Sequence, residues 1–123
     1  MSKEKKKKVL VVDDQPKVLR FIEIDLKIRG FDVCCAASGE EALAIIKSAP
    51  PDILLLDMVM PGKDGFDTIK ELRTFSQMPV IAFSASPGNH APALQCGAND
   101  FMHKPFDPED MAQKIRSLLK SAD

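Results

Sequence analysis

The stretch "ILLLDMVMPGKDG", Ile53 to Gly65, decides how the chain is read. Its first half is an unbroken apolar run of strand length, the pattern of a strand covered on both faces and hence of a parallel sheet. It stops on an acid, Asp57, and a loop marked by Pro61, Gly62 and Gly65 follows directly. A carboxylate that closes a buried parallel strand stands at the carboxyl edge of the sheet, where such sheets bind their ligands.

Similar units lie on either side. "KVLVVDD" is β-branched and stops at Asp13 and Asp14, and "FDVCCAA", "PVIAFSA" and "DFMHK" read as further strands. Between them lie helical patterns. Val18, Ile22 and Leu26 repeat at four-residue spacing from Pro16 to Arg29, with Gly30 as a stop. Ser38 and Glu41 form a capping box ahead of a stripe of Ala42, Leu43, Ile45, Ile46 and Ala49. Phe66, Ile69 and Leu72 share one side of a helix from about Gly65 to Thr74. Asp107 caps a last helix with Pro108 at its first position and Met111, Ile115 and Leu118 as its stripe. "SPGNHAPALQCGAND" is the weakest helical segment, because Pro87, Gly88 and Pro92 oppose it. Five strands, each followed by a helix, predict an α/β fold: (βα)5, a doubly wound five-stranded parallel sheet.

Composition sets the bounds. The 123 residues suit one domain with one core. A net charge of −1 gives no nucleic-acid footprint. The run "KEKKKK", Lys3 to Lys8, reads as a solvated basic tail over residues 1–7 ahead of a domain at 8–120. No apolar run has the length of a membrane span, and no signal-peptide core follows the lysines. Cys34, Cys35 and Cys96 lack metal or redox spacing and read as reduced, mostly buried thiols of a cytoplasmic protein.

At the carboxyl edge the strands deliver Asp13 and Asp14, Asp57, Ser84, and Lys104 before Pro105. Taken singly, a strand-end Asp is more often a turn or cap residue. Together they are three acids, a hydroxyl and an ammonium at one rim. Three close carboxylates call for a raised pKa or a cation. An all-oxygen, partly wet set suits Mg²⁺. A divalent cation, an ammonium and a hydroxyl about one carboxylate make a phosphoryl-transfer site.

"VLVVDD", "DILLLDMVMPGKDGF", "PVIAFSA" and "GANDFMHKPF", in this order and spacing, resemble the receiver domain of two-component response regulators over about Lys8 to Leu119. The resemblance implies a flavodoxin-like receiver fold and a signalling switch rather than an enzyme. Asp57 is implied as acceptor of a phosphoryl group from a sensor histidine kinase or histidine phosphotransfer protein, and a downstream protein as reader of the switched state. It also implies Mg²⁺ on Asp14, Asp57 and the backbone carbonyl of Val59, with Asp13 helping through water. Lys104, Ser84 and the backbone N–H of Ala85 are implied to hold the phosphoryl group, and Phe101 to be the switch aromatic. Access of a partner past the Pro61–Gly62 loop is carried over in the same way.

The chain departs from the family pattern in three places. Phe101 stands where the aromatic is often Tyr, so it has no hydroxyl to signal burial. The interval from Ser84 to Lys104 is shorter than usual, which predicts a short or irregular fourth helix and argues against carrying over the family's standard dimer face. Val59 and Ser86 occupy positions that tune hydrolytic water in the family, and Val59 cannot hydrogen-bond one. Fast intrinsic dephosphorylation is therefore not expected.

Other classes fit less well. A haloacid-dehalogenase-type enzyme needs an acid two residues after its nucleophile, where Val59 stands. A nucleotide or flavin module wants a glycine-rich loop after the first strand, and "DDQPKV" has none. A degenerate receiver would lack the acids, Ser84 or Lys104. His90 and His103 read as loop or surface residues rather than metal or phosphorelay groups. The sequence leaves open whether this is a stand-alone receiver or part of a longer regulator.

Overall fold

The computed structural model describes residues 6–122. Five strands run β1 (Lys8–Val12), β2 (Asp32–Ala36), β3 (Ile53–Asp57), β4 (Val80–Ser84) and β5 (Asp100–His103). The helices are α1 (Pro16–Ile28), α2 (Gly39–Ser48), α3 (Gly65–Leu72), α4 (His90–Cys96) and α5 (Pro108–Ala122), with a 3₁₀ turn at Pro87–Asn89 ahead of α4. All pairings are parallel, in the order β2-β1-β3-β4-β5. The order reverses between β1 and β3, so the first and third strands end side by side at the switch point.

Alternation along the strands sorts the core into two layers. Leu10, Val12, Leu54, Leu56 and Ala82 face α2, α3 and α4 through Ala42, Ile46, Ile69, Leu72 and Ala93. Val9, Val11, Ile53, Leu55 and Phe83 face α1 and α5 through Ile22, Leu26, Met111 and Ile115. β3 is buried along its whole length, as its unbroken apolar run requires.

Helix ends follow local chemistry. Gly30, at φ 100°, stops α1 with Phe31 N–H on Leu26 O at 3.0 Å and Gly30 N–H on Lys27 O at 3.1 Å, a Schellman closure. Ser38 Oγ accepts from Glu41 N–H at 3.1 Å, while Glu41 Oε1 takes the Ala37 N–H at 2.9 Å, one residue earlier than a standard box. Asp107 Oδ1 accepts from Glu109 N–H at 3.0 Å and starts α5.

The expected short fourth helix is present. α4 has 7 residues, and Pro92 sits in its first turn, where a missing N–H costs no hydrogen bond. Gly97, at φ 123°, ends it. Arg73 fastens the segment: its guanidinium donates to Gly97 O at 2.8 Å, Met78 O at 2.8 Å, Ser76 O at 3.1 Å and Asn99 Oδ1 at 3.1 Å.

Several expectations shift. Lys8 opens β1 as the strand reading had it, and residues 1–5 of the expected tail lie outside the described residues. Ala49 is an exposed helix end rather than part of the α2 stripe. α3 stops at Leu72 instead of Thr74, and isolated turn bonds from Thr74 and Phe75 follow it. α5 extends to Ala122, and Leu119 is more deeply buried than Leu118. The three cysteines are free but only half-buried. Among the described residues, no helix is long and apolar enough to cross a membrane.

Candidate functional site

The sheet ladder carries past the strand ends and fixes the rim. Asp13 N–H donates to Ala36 O at 3.2 Å, Met58 N–H to Phe83 O at 2.9 Å and Lys104 N–H to Ser84 O at 2.8 Å. The Lys104–Pro105 peptide is cis. Gly65 lets the loop after β3 lie close against the strand end. A Cβ there would fall 2.6 Å from Met58 Cα and 2.8 Å from Asp57 O, and Gly65 N–H closes the loop on Met58 O at 3.3 Å.

On this frame the charged groups meet. Asp13 is fully buried and Asp57 nearly so at 4% exposure, while Asp14 is exposed. One carboxylate oxygen from each lies within 4.8 Å of the others. Lys104 Nζ bridges two of them, 2.9 Å from Asp13 Oδ2 and 3.2 Å from Asp57 Oδ2. The remaining oxygens are held by backbone: Val59 N–H donates to Asp57 Oδ1 at 3.0 Å, and Gln15 N–H to Asp13 Oδ1 at 2.8 Å.

These contacts set opposing electrostatic demands. Burial pushes the Asp57 carboxyl above its ordinary value and the Asp13 charge adds to this. The Val59 N–H and Lys104 pull the other way without cancelling it. For Lys104, burial acts downward. The hydrogen bond to Asp13 and the fields of Asp57 and Asp13 outweigh it, so the ammonium titrates above its ordinary value.

The site opens as a cavity of about 620 Å³ whose lining includes Asp14, Asp57, Val59, Ser84, Ala85 and Lys104. Asp13 lies behind it, tied in through Lys104. A neighbouring apolar cavity of about 460 Å³ shares Ala85 and Lys104 and is walled by Val18, Phe21 and Phe106. Three clustered carboxylates, one of them exposed, form the kind of all-oxygen set that a hard divalent cation takes.

Two expected site residues do not bond the acids. Ser84 is buried, and its Oγ accepts from Ser86 N–H and Asn89 Nδ2, both at 3.0 Å, rather than bonding the acids. Phe101 is buried at 6% exposure, packed in the α2–α4 layer. His90, expected as a plain surface residue, is exposed but stacks on the Phe101 ring, centroids 4.8 Å apart and planes at 10°. His103 meets the same ring edge-on at 6.2 Å. The sequence reading missed Asn89 and Gln15. Only Asn89's place in a Pro- and Gly-broken segment just after Ser84 could have suggested it.

The family model for the response regulator receiver domain matches residues 9–116. Among curated relatives, the "Probable transcriptional regulator ycf27" of Porphyridium aerugineum is 41% identical over 120 residues, covering 96% of this chain and 50% of that protein. The chain thus spans about half the length of the curated relatives it matches. Among solved structures, the receiver domain of Francisella response regulator 1452 superposes with a TM-score of 0.89 at 34% identity, covering 95% of this chain and 99% of that one. The BeF3-activated N-terminal receiver domain of Klebsiella pneumoniae RstA gives 0.87 at 32% identity, covering 92% and 98%. A family match that runs from β1 into α5 makes the assignment: this chain belongs to the response regulator receiver domains of two-component systems.

Proposed function

We propose that the domain is a switch in which Asp57 accepts a phosphoryl group from a phosphohistidine of a sensor histidine kinase or phosphotransfer protein. The observation that carries this reading is the Lys104 ammonium joining Asp13 and Asp57 at the open rim. In the reaction an Asp57 oxygen attacks phosphorus, the P–N bond breaks, and its electron pair leaves with the imidazole, which takes a proton. An acyl phosphate results. Burial keeps the Asp57 carboxylate poorly solvated and therefore reactive. Lys104 offsets the charge of the incoming phosphoryl oxygens, and Ser84 Oγ–H and the Ala85 N–H supply donors to them.

Asp14, Asp57 and the Val59 carbonyl would hold Mg²⁺, with Asp13 assisting. Bound there, the cation supplies charge neutralisation for the phosphoryl group. The protein acts on its own phosphoryl group and is not a turnover enzyme. A protein donor needs a docking surface beside the rim, and the outer face of α1 offers exposed Phe21, Ile24 and Ile28 next to the apolar cavity. A downstream protein reads the switched state. The name of the ycf27 relatives supports an output at transcription, reached through protein contact. The half-buried free thiols fit the cytoplasm. Val59 offers no hydrogen bond to a hydrolytic water, so the acyl phosphate should persist. A phosphate-release time course complete within seconds would count against that.

The test is intact-mass spectrometry after incubation with acetyl phosphate, with and without Mg²⁺, beside Asp57→Asn. A Mg²⁺-dependent gain of one phosphoryl mass that is absent in the variant is expected. No gain under any condition sinks the phosphoacceptor reading.

A further inference from the structure

Beside the acid rim lies the second cavity, about 460 Å³ and mostly apolar. Val18, Phe21 and Phe106 wall it, and Ala85 and Lys104 line both this space and the phosphoryl site. Its charged lining residues, Lys17 and Lys104, are both cationic. The wall belongs to a fixed stack. Phe106 stands edge-on to Phe83 with ring centroids 5.8 Å apart, and the Lys104 ammonium lies 5.2 Å from the Phe83 centroid. Val18 and Phe106 are half-buried against the α1–α5 layer of the core.

A chamber of this size suits a small molecule, and its lining specifies the chemistry. An anionic group belongs at the lysines and an apolar chain between Val18 and Phe106. A phosphoryl group held by Lys104 and the Ala85 N–H has the chamber next to it, because the same two residues wall both spaces. Ile24 and Ile28, the rest of the exposed α1 stripe, lie outside this lining and suit a protein face instead.

We infer that the domain also takes its phosphoryl group from small acyl phosphates with a short apolar acyl chain, and that the chamber beside Lys104 holds that chain. The inference rests on phosphoryl acceptance at Asp57 and names a substrate class for the same site. An Asp57 oxygen attacks phosphorus, the bond from phosphorus to the acyl oxygen breaks, and its electron pair leaves on the carboxylate. No proton moves. One mixed anhydride replaces another, so the step needs no further reactant. A chain bound equally before and during transfer raises the rate at low donor concentration and leaves the saturated rate unchanged.

Intact-mass time courses on the full chain with Mg²⁺ compare acetyl phosphate with butanoyl phosphate, whose carboxylates are about equally good leaving groups. Each buried methylene is worth about four-fold. Butanoyl phosphate is longer by two methylenes and should label Asp57 about ten-fold faster below saturation, with part of its chain left in solvent. Val18→Phe fills the chamber and should bring the two rates together, with labelling by acetyl phosphate showing that the variant is folded. Phe106→Ala removes a wall and should shrink the preference, which covers the case in which the larger side chain folds poorly. Butylphosphonate cannot transfer its phosphorus group, and it should shift the Val18 methyl NMR signals of the wild type. Equal rates from the two donors, a preference that survives in both variants, or Val18 signals that stay in place overturns the inference and leaves the chamber to an apolar side chain of a protein donor. Labelling by neither donor removes the phosphoacceptor reading itself, and the acyl chamber with it.

Discussion

The two halves of the rim are built differently. Around β1 and β3 the acids continue buried strands, and backbone fixes them beside the Lys104 ammonium: Asp13 and Asp57 are gripped by the N–H groups of Gln15 and Val59, and Gly65 lies against the strand end. Around β4 the chain breaks into a 3₁₀ turn and a 7-residue helix, and side-chain donors and rings carry more of the fixing: Asn89 joins the Ser86 N–H on Ser84, His90 lies on Phe101, and Arg73 holds several carbonyls. Backbone dominates where the acids sit, while side chains, whose rotamers exchange cheaply, do more of the holding around the short fourth helix.

Gly65→Ala should break the rigid half most severely. Its Cβ meets backbone on two sides, so the loop and Asp57 must move. A loss of about 3 kcal/mol is expected from urea unfolding, and an undiminished midpoint would show that the rim tolerates displacement. Arg73→Ala attacks the other half. It strands the carbonyls of Gly97, Met78 and Ser76 and should cost about 2 kcal/mol. Amide hydrogen exchange should locate the loosening at α4 and leave β1 and β3 protected. Asp57→Asn sharpens the contrast in the opposite direction. Removing a charge that burial and Asp13 disfavour should stabilise the protein by about 1 kcal/mol in EDTA, and a destabilised variant would mean that the Lys104 contact outweighs the burial.

The smallest effect belongs to neither half. Lys63 and Glu71 pair at 2.7 Å on the solvent side of α3. The Lys63 hydrogen bond holds Glu71 below its ordinary 4.5, so its contribution is present above that pH and fades as pH falls through the lowered value. Lys63 is raised above 10.5 chiefly by the same bond, so its share is complete below 10.5 and fades as pH rises through the raised value. Glu71→Gln should therefore flatten the acid limb of the stability profile slightly, and salt should erase the difference.

The rigid half was legible in the sequence because strand-end residues keep their position whatever surrounds them. Once "ILLLD" was a buried parallel strand, Asp57 had to be at the rim, and Asp13, Asp14 and Lys104 followed by the same rule. The half around β4 was legible only as a deficit, a short and proline-broken fourth helix. The grip of Asn89 on Ser84 depends on how one 3₁₀ turn folds back, and no periodicity specifies that. The Arg73 contacts go mostly to backbone carbonyls, which every residue carries and no sequence pattern marks. Phe101 was found by position, but the His90 ring stacked on it was not, because that ring comes from the irregular segment.

The bond from Gly65 N–H to Met58 O also has a topological consequence. It draws together the two ends of the 58–65 loop, whose middle reaches the surface at Gly62 with φ 75°. Severing the chain there would leave β3 in the sheet and α3 on its face, two fragments held by the packing that holds the intact protein. The proposed acceptor would end one fragment while Ser84 and Lys104 belong to the other. Phosphoryl acceptance would then exist only in the reassembled pair, and the loop becomes a place to split the protein so that its chemistry reports the meeting of its halves.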